Sequence, residues 1–229
     1  MARRRTILEA CFPDTQDFAA LAGAWPSDLI DQMLGFVWGA YDLLAKEVLA
    51  KIDCRNADKD LERSITMTLE LRIRDLMSGY ESFVVQHGRY EQETMLDPPA
   101  QPPQYDIAFV YRDNERVMWP LEAKVLRTDR TVAAYVADVK EQFLTCRYAP
   151  FVDSGAMLGY LLSGVPDNAF RSVAASLGCE LQDYAAFGSR NHKASDHLRQ
   201  VPDGKPYPIP FRCHHLMMEL CLPSPKVRT

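Results

Sequence analysis

Between Tyr105 and Leu126 the chain reads "YDIAFVYRDNERVMWPLEAKVL", two β-forming runs around the polar turn "RDNER". This pattern specifies a β-hairpin, because strand side chains alternate between faces and Asn114 is a residue type that accepts turn geometry. Asp106, Ala108 and Val110 then share one face of the first strand, and Tyr105, Ile107, Phe109 and Tyr111 the other. On the second strand Glu122 and Lys124 project together while Ala123 points away. Pairing about Asn114 sets Asp106 opposite Glu122, each eight residues from that centre. Opposed side chains lie about 5 Å apart at Cβ, so two carboxylates there repel unless a cation sits between them. A divalent ion answers this, and all-oxygen ligands suit Mg²⁺ or Mn²⁺, which keep several waters and take one or two carboxylates plus a phosphate. Lys124 would stand beside a metal-bound water and favour its hydroxide form. Glu-x-Lys by itself describes a solvated strand face. The Asp in register and the apolar flanks on both strands turn the reading toward a site.

Composition narrows what surrounds the hairpin. A chain of 229 residues buries a real core and is expected to form one domain with helical additions. The segment "LIDQMLGFVWGAYDLLAKEVLAKI" is apolar but interrupted by Asp31, Asp42, Lys46 and Glu47, which reads as a soluble amphipathic helix. The basic start "MARRRTILEACF" runs into "PDTQD", which cuts off a secretion signal, and a cytoplasmic location is expected. The six cysteines are scattered without a C-x-x-C pair, which points to reduced thiols.

Along the chain, residues 1–55 read as an N-terminal helical extension and 56–229 as the main domain. A helix follows from "ADKDLERSITMTLELRIRDLMSGY", with Leu61, Ile65, Leu69, Ile73 and Leu76 on one face and Gly79 as the stop. "ESFVVQHGRYEQE" is a strand and "LDPPAQPPQ" a proline loop. After the hairpin come a helix from Thr131 to about Tyr148, a buried strand in "GAMLGYLLSG" and a helix around Asp167–Leu177. Next is the polar loop "FGSRNHKASDHLRQVPDGKPYP", then a last strand in "IPFRCHHLMMELCL".

Asp106 followed by Glu122-Ala123-Lys124 resembles the PD-(D/E)xK, or restriction-endonuclease-like, nuclease superfamily. The likeness covers about Asp60 to Gly164, because "ERSITMTL" resembles the helix with which such cores begin and the helix and buried strand after the hairpin keep the order. It implies an α/β fold: a restriction-endonuclease-like core, a central mixed β-sheet flanked by helices. It further implies a Mg²⁺- or Mn²⁺-dependent nuclease, a DNA endonuclease in particular, serving as effector subunit of a prokaryotic defence or restriction system. By position Asp106, Glu122 and the Ala123 carbonyl would hold the metal. Lys124 would orient the water, Glu62 would assist from its helix, and Gln142 would be an auxiliary. Two departures stand out: no Pro immediately precedes Asp106, and Cys146 replaces the Tyr of the exonuclease-type Gln-x-x-x-Tyr spacing, which counts against exonuclease behaviour. RNA cleavage and a non-catalytic nucleic-acid-binding or scaffold subunit are the alternatives.

Outside the hairpin, Cys213-His214-His215 offers no zinc site, since adjacent strand residues face opposite ways and no paired cysteine supports them. Arg190, Lys193, His197 and Arg199, with His192 and Lys205, read either as a phosphate-contacting basic patch or as a solvated loop. The net charge of −5 opposes unaided binding to nucleic acid. The helix at Leu29–Ile52 is apolar on most sides, which one stripe of core cannot cover. A homo-oligomer or partner subunit through residues 29–52, meeting Trp38 or Tyr41, is the expected consequence. Cover by helices of the same chain is the other.

Overall fold

The computed structural model describes residues 27–47, 53–91, 93–94 and 102–220; the expectations for the first residues and for most of the proline loop lie outside these. Helix α1 (Ser27–Glu47) is followed by α2 (Asp58–Leu76). In α2, Leu61, Ile65, Leu69 and Ile73 recur one turn apart and all are buried. Leu76, expected to continue that stripe, is exposed because the helix ends there and Met77 is already extended.

Seven strands form one mixed sheet: β1 (Phe83–His87), β2 (Ile107–Tyr111), β3 (Met118–Leu126), β4 (Ser154–Leu161), β5 (Gln182–Asp183), β6 (His192–Leu198) and β7 (Pro210–Glu219). Their spatial order is β1-β2-β3-β4-β7-β6-β5. β1, β2 and β3 run antiparallel, β3, β4 and β7 parallel, β6 antiparallel to β7, and β5 antiparallel to β6 at the edge. β4 is buried along its whole length, as its apolar run between glycines predicts. The architecture is α/β, a mixed sheet flanked by helices, as expected.

Helices α1 and α2 pack on one face of the sheet against Phe83, Phe109, Trp119, Leu158 and Met218. The other face carries α3 (Ala133–Asp138), a π-helical turn (Val139–Phe143) and α4 (Pro166–Leu177), packed on Ala108, Val110, Met157 and Met217. The predicted helix to Tyr148 is therefore shorter than expected. Its hydrogen bonds widen at the π turn, with Leu144 N–H donating to the Val139 carbonyl, and Cys146 and Ala149 then take positive φ.

The polar stretch read as a loop contains β6. Its buried residues are His192, Ser195 and the small Ala194, so no apolar alternation announces the strand; the two polar ones are satisfied by side chains of β7 instead. His214 and His215 do face opposite ways. His214 meets His192 on the α1 side, and His215 meets Tyr135 of α3. Of the cysteines, Cys146, Cys179 and Cys213 are free, whereas Cys54 is disulfide-bonded, contrary to the reading of reduced thiols throughout. No helix among the described residues is long and apolar enough to cross a membrane.

The face of α1 expected to await a partner is covered by this chain. Trp38 is 3 % exposed, and its Nε1–H donates to His192 Nδ1 at 3.3 Å. The Tyr41 hydroxyl donates to the Glu219 carbonyl at 2.8 Å, and Arg190 forks onto Asp42. β6 and β7 thus supply the second surface that a single core stripe could not, so the burial of Trp38 does not call for a second chain. Trp38→Ala is expected to cost about 3–5 kcal/mol of folding stability, read from urea denaturation. Trp38→Asp is expected to unfold the chain rather than release a partner.

Candidate active site

β3 changes partners along its length, and this creates the site. Its first half pairs with β2 from Met118 to Leu121, and its second half pairs with β4 from Leu121 to Leu126. Ile107↔Leu121 is the last rung on the β2 side, so the expected opposition of Asp106 and Glu122 falls one position beyond the paired strands. Beyond that rung, backbone groups of β3 on the β2 side have no strand to meet and need other partners.

Carboxylates take that role. Ala123 N–H donates to Asp106 Oδ2 at 2.8 Å, and Val125 N–H donates to Glu62 Oε2 of α2 at 3.4 Å. The Ala123 carbonyl accepts from Lys124 Nζ at 2.9 Å, and the same ammonium donates to Glu122 Oε1 at 2.8 Å. Glu62 Oε1 stands 3.7 Å from Lys124 Nζ. The structure therefore brings together Asp106, Glu122, Ala123, Lys124 and Glu62. It also adds Asp138 at the end of α3, whose Oδ2 is 2.9 Å from Lys124 Nζ.

Charge is unbalanced in this fork: four carboxylates, Glu62, Asp106, Glu122 and Asp138, surround one ammonium. Burial pushes the Glu122 carboxyl well above the usual carboxylate range, and the neighbouring Asp106 charge adds to this against the pull of Lys124. Asp106 is raised by burial too, against the Ala123 N–H and Lys124. Glu62 is raised by burial, with Lys124 opposing. For Lys124, burial works against the charged form, but Glu122, Asp138 and Glu62 outweigh it and hold the amine above its ordinary value. The cluster is short of positive charge.

A divalent cation fits the donor set in kind. Glu122 Oε2 is buried without a hydrogen-bond partner, and beside it stand the Asp106 carboxylate and the Ala123 carbonyl, all hard oxygens. Among the described residues no three His, Cys, Asp or Glu side chains form a metal-chelating group of their own. Mg²⁺ does not require one, since it is commonly held by one or two carboxylates together with waters and substrate phosphate. Lys124 stands on Glu122 and on the Ala123 carbonyl, so an ion there displaces its ammonium.

Gln142 lies on the π-helical turn that follows Asp138, with its Oε1 buried and unpartnered. Tyr148 closes the wall. Its ring meets Tyr105 edge-on at 5.0 Å and its hydroxyl donates to the Gln104 carbonyl at 3.0 Å. Burial raises its hydroxyl, and the charges of Glu122, Asp138 and Asp106 raise it further, which sets it close to the cluster. Asp138 and Tyr148 escaped the sequence reading. The spacing of Asp138 and Gln142 on one helix after the hairpin is the trace that pointed there.

Behind Asp106, the Tyr105 hydroxyl donates to Glu91 Oε2 at 2.8 Å and accepts from Ala149 N–H at 3.0 Å. Burial raises the Glu91 carboxyl to about 7. A carboxyl raised by folding holds its proton more tightly when folded, so its stabilising effect is full below the unfolded pKa and is lost as pH rises through about 7. Stability is expected to fall between pH 5 and 8. Glu91→Gln should remove roughly 3 kcal/mol of that fall, measured as urea midpoints across the range. Asp106, Glu122 and Glu62 shift in the same direction, so a residual slope remains.

The four residues read as a basic patch do not converge. Arg190 is bound to Asp42 on α1, while Lys193 pairs with Asp183 and lies over Phe170 of α4 on the opposite face. His197 Nε2 meets Ser195 Oγ at 2.7 Å. Arg199 is 5 % exposed, stacked on Phe211 and bound to the carbonyls of Ala149 and Val152, where it clamps the loop behind Tyr148. A cavity of about 520 Å³ near the β6–β7 end, with Tyr184, Asp196, Arg212 and His214 in its wall, includes none of the fork residues. No protein-family model, curated protein or solved structure matches this chain.

Proposed function

We propose that this chain is a metal-dependent nucleic-acid phosphodiesterase, acting as a DNA endonuclease, on a restriction-endonuclease-like core. The observation that carries the reading is the fork itself: Asp106, Glu122 with its unpartnered buried oxygen, and the Ala123 carbonyl converge beside Lys124. The order α2-β1-β2-β3-α3-β4, with an antiparallel hairpin and a parallel step from β3 to β4, supports the fold part of this reading.

Asp106, Glu122 and the Ala123 carbonyl would hold Mg²⁺ or Mn²⁺, which when bound lowers the pKa of a water and neutralises phosphate charge. Asp106 has a second task. By accepting from Ala123 N–H it holds in place the residue whose carbonyl looks into the fork. Lys124 orients the attacking water and meets the negative charge that develops on the phosphate. Glu62 braces β3 at Val125 and keeps a charge near Lys124. The test is incubation of the purified chain with supercoiled, linear and single-stranded DNA and with RNA, in Mg²⁺, Mn²⁺ or EDTA. Cleavage of DNA with either metal and none in EDTA is expected. No cleavage on any substrate overturns the reading and favours a non-catalytic scaffold; cleavage of RNA alone reassigns the substrate.

A further inference from the structure

We infer that Asp138 is a positioning residue for Lys124: it receives the ammonium when a divalent ion takes Glu122 and the Ala123 carbonyl. The inference rests on the metal-dependent reading above. Lys124 Nζ has three donor protons, and two are spent on Glu122 Oε1 and the Ala123 carbonyl. Those two oxygens belong to the set an ion would occupy, and an ion there repels the ammonium. Asp138 Oδ2 is ion-paired with Nζ at 2.9 Å, is buried, and takes a hydrogen bond from no other group. It is an acceptor already beside the group that must move, and no other donor competes for it. Glu62, at 3.7 Å, stands further off and has an oxygen engaged with Val125 N–H.

Asp138 comes from α3, whereas the other fork residues come from β3, α2 and the position just before β2, so it holds Lys124 from a separate wall. A turn of Nζ from Glu122 to Asp138 keeps the ammonium paired throughout, which spares the cost of leaving a buried charge alone. Without Asp138, ion binding strips Lys124 of its two hydrogen-bond acceptors and gives nothing close in return.

A double-mutant cycle on ion binding tests this without reference to turnover. Mn²⁺ is titrated calorimetrically into wild type, Asp138→Asn, Lys124→Ala and the double variant, each first shown to unfold cooperatively in urea. Asp138→Asn is expected to weaken Mn²⁺ about ten-fold with Lys124 present and to change it less than about two-fold in the Lys124→Ala background. Asp138→Glu should restore most of the affinity. An equal loss in both backgrounds overturns the inference and makes Asp138 a direct ligand or a general charge. No loss in either overturns it as well. A wild type that binds no Mn²⁺ overturns the hydrolase reading and this inference together.

Discussion

Replacing Lys124 with alanine is expected to lower the rate of phosphodiester cleavage by about 10²–10³-fold, the usual consequence of removing one preorganised charge from a developing oxyanion. The ammonium is the only cation that contacts the fork carboxylates among the described ion pairs, with Glu122, Asp138 and Glu62 all within ion-pair distance. It stands beside the oxygens that would hold the ion, where the water to be activated would sit. Ion and nucleic acid should still bind, because Lys124 competes for Glu122 and does not contribute a ligand. Arginine should rescue poorly, since its planar fork cannot replace a compact ammonium that already meets three oxygens. Single-turnover cleavage under saturating Mn²⁺ separates the loss of chemistry from any loss of binding. A wild-type rate for Lys124→Ala would remove the mechanism.

The second large effect is the loss of ion binding and cleavage in Glu122→Gln and Asp106→Asn, with the folded state retained. The two positions differ in what they do for the fold. Glu122 is buried beside another carboxylate and has an oxygen with no partner, so neutralising it should leave metal-free stability unchanged or raise it by about 1 kcal/mol. Asp106 also satisfies Ala123 N–H, and Asp106→Ala orphans that donor at a cost of about 1–3 kcal/mol. Asp106→Asn keeps an acceptor there and should avoid most of that cost. Urea denaturation of the metal-free variants checks the order: Glu122→Gln highest, Asp106→Asn intermediate, Asp106→Ala lowest.

The hairpin was legible in the sequence because its signal is local. A polar turn centred on Asn114 and alternating strands determine the register, and Ile107↔Leu121 is the rung that register requires. α2 was legible from its stripe, β4 and β7 from their apolar runs. Tyr105, assigned to the Ile107 face, instead packs with Ala108 and Val110, because β2 begins only at Ile107 and the alternation does not extend back to it. β6 was missed because its large buried side chains are polar, His192 and Ser195, and their burial depends on partners far along the chain. Asp138 was missed for a related reason. A helix-end aspartate becomes part of a site only through the crossover that lays α3 beside the second half of β3. Arg199 misled in the opposite direction: its charge suggested solvent, but carbonyls of the loop it clamps take up its donors. The face of α1 misled through counting, since the sheet extends to β6 and β7 and reaches Trp38.

On the reading proposed here, the fork holds a divalent ion between Asp106 and Glu122. Calorimetric titration of Mn²⁺ into the wild type and Glu122→Gln, at equal concentration and with EDTA-stripped protein, tests it most directly. Saturable binding near one ion per chain in the wild type, absent in Glu122→Gln, is the predicted result. Equal binding by both proteins, or none by the wild type, would contradict it.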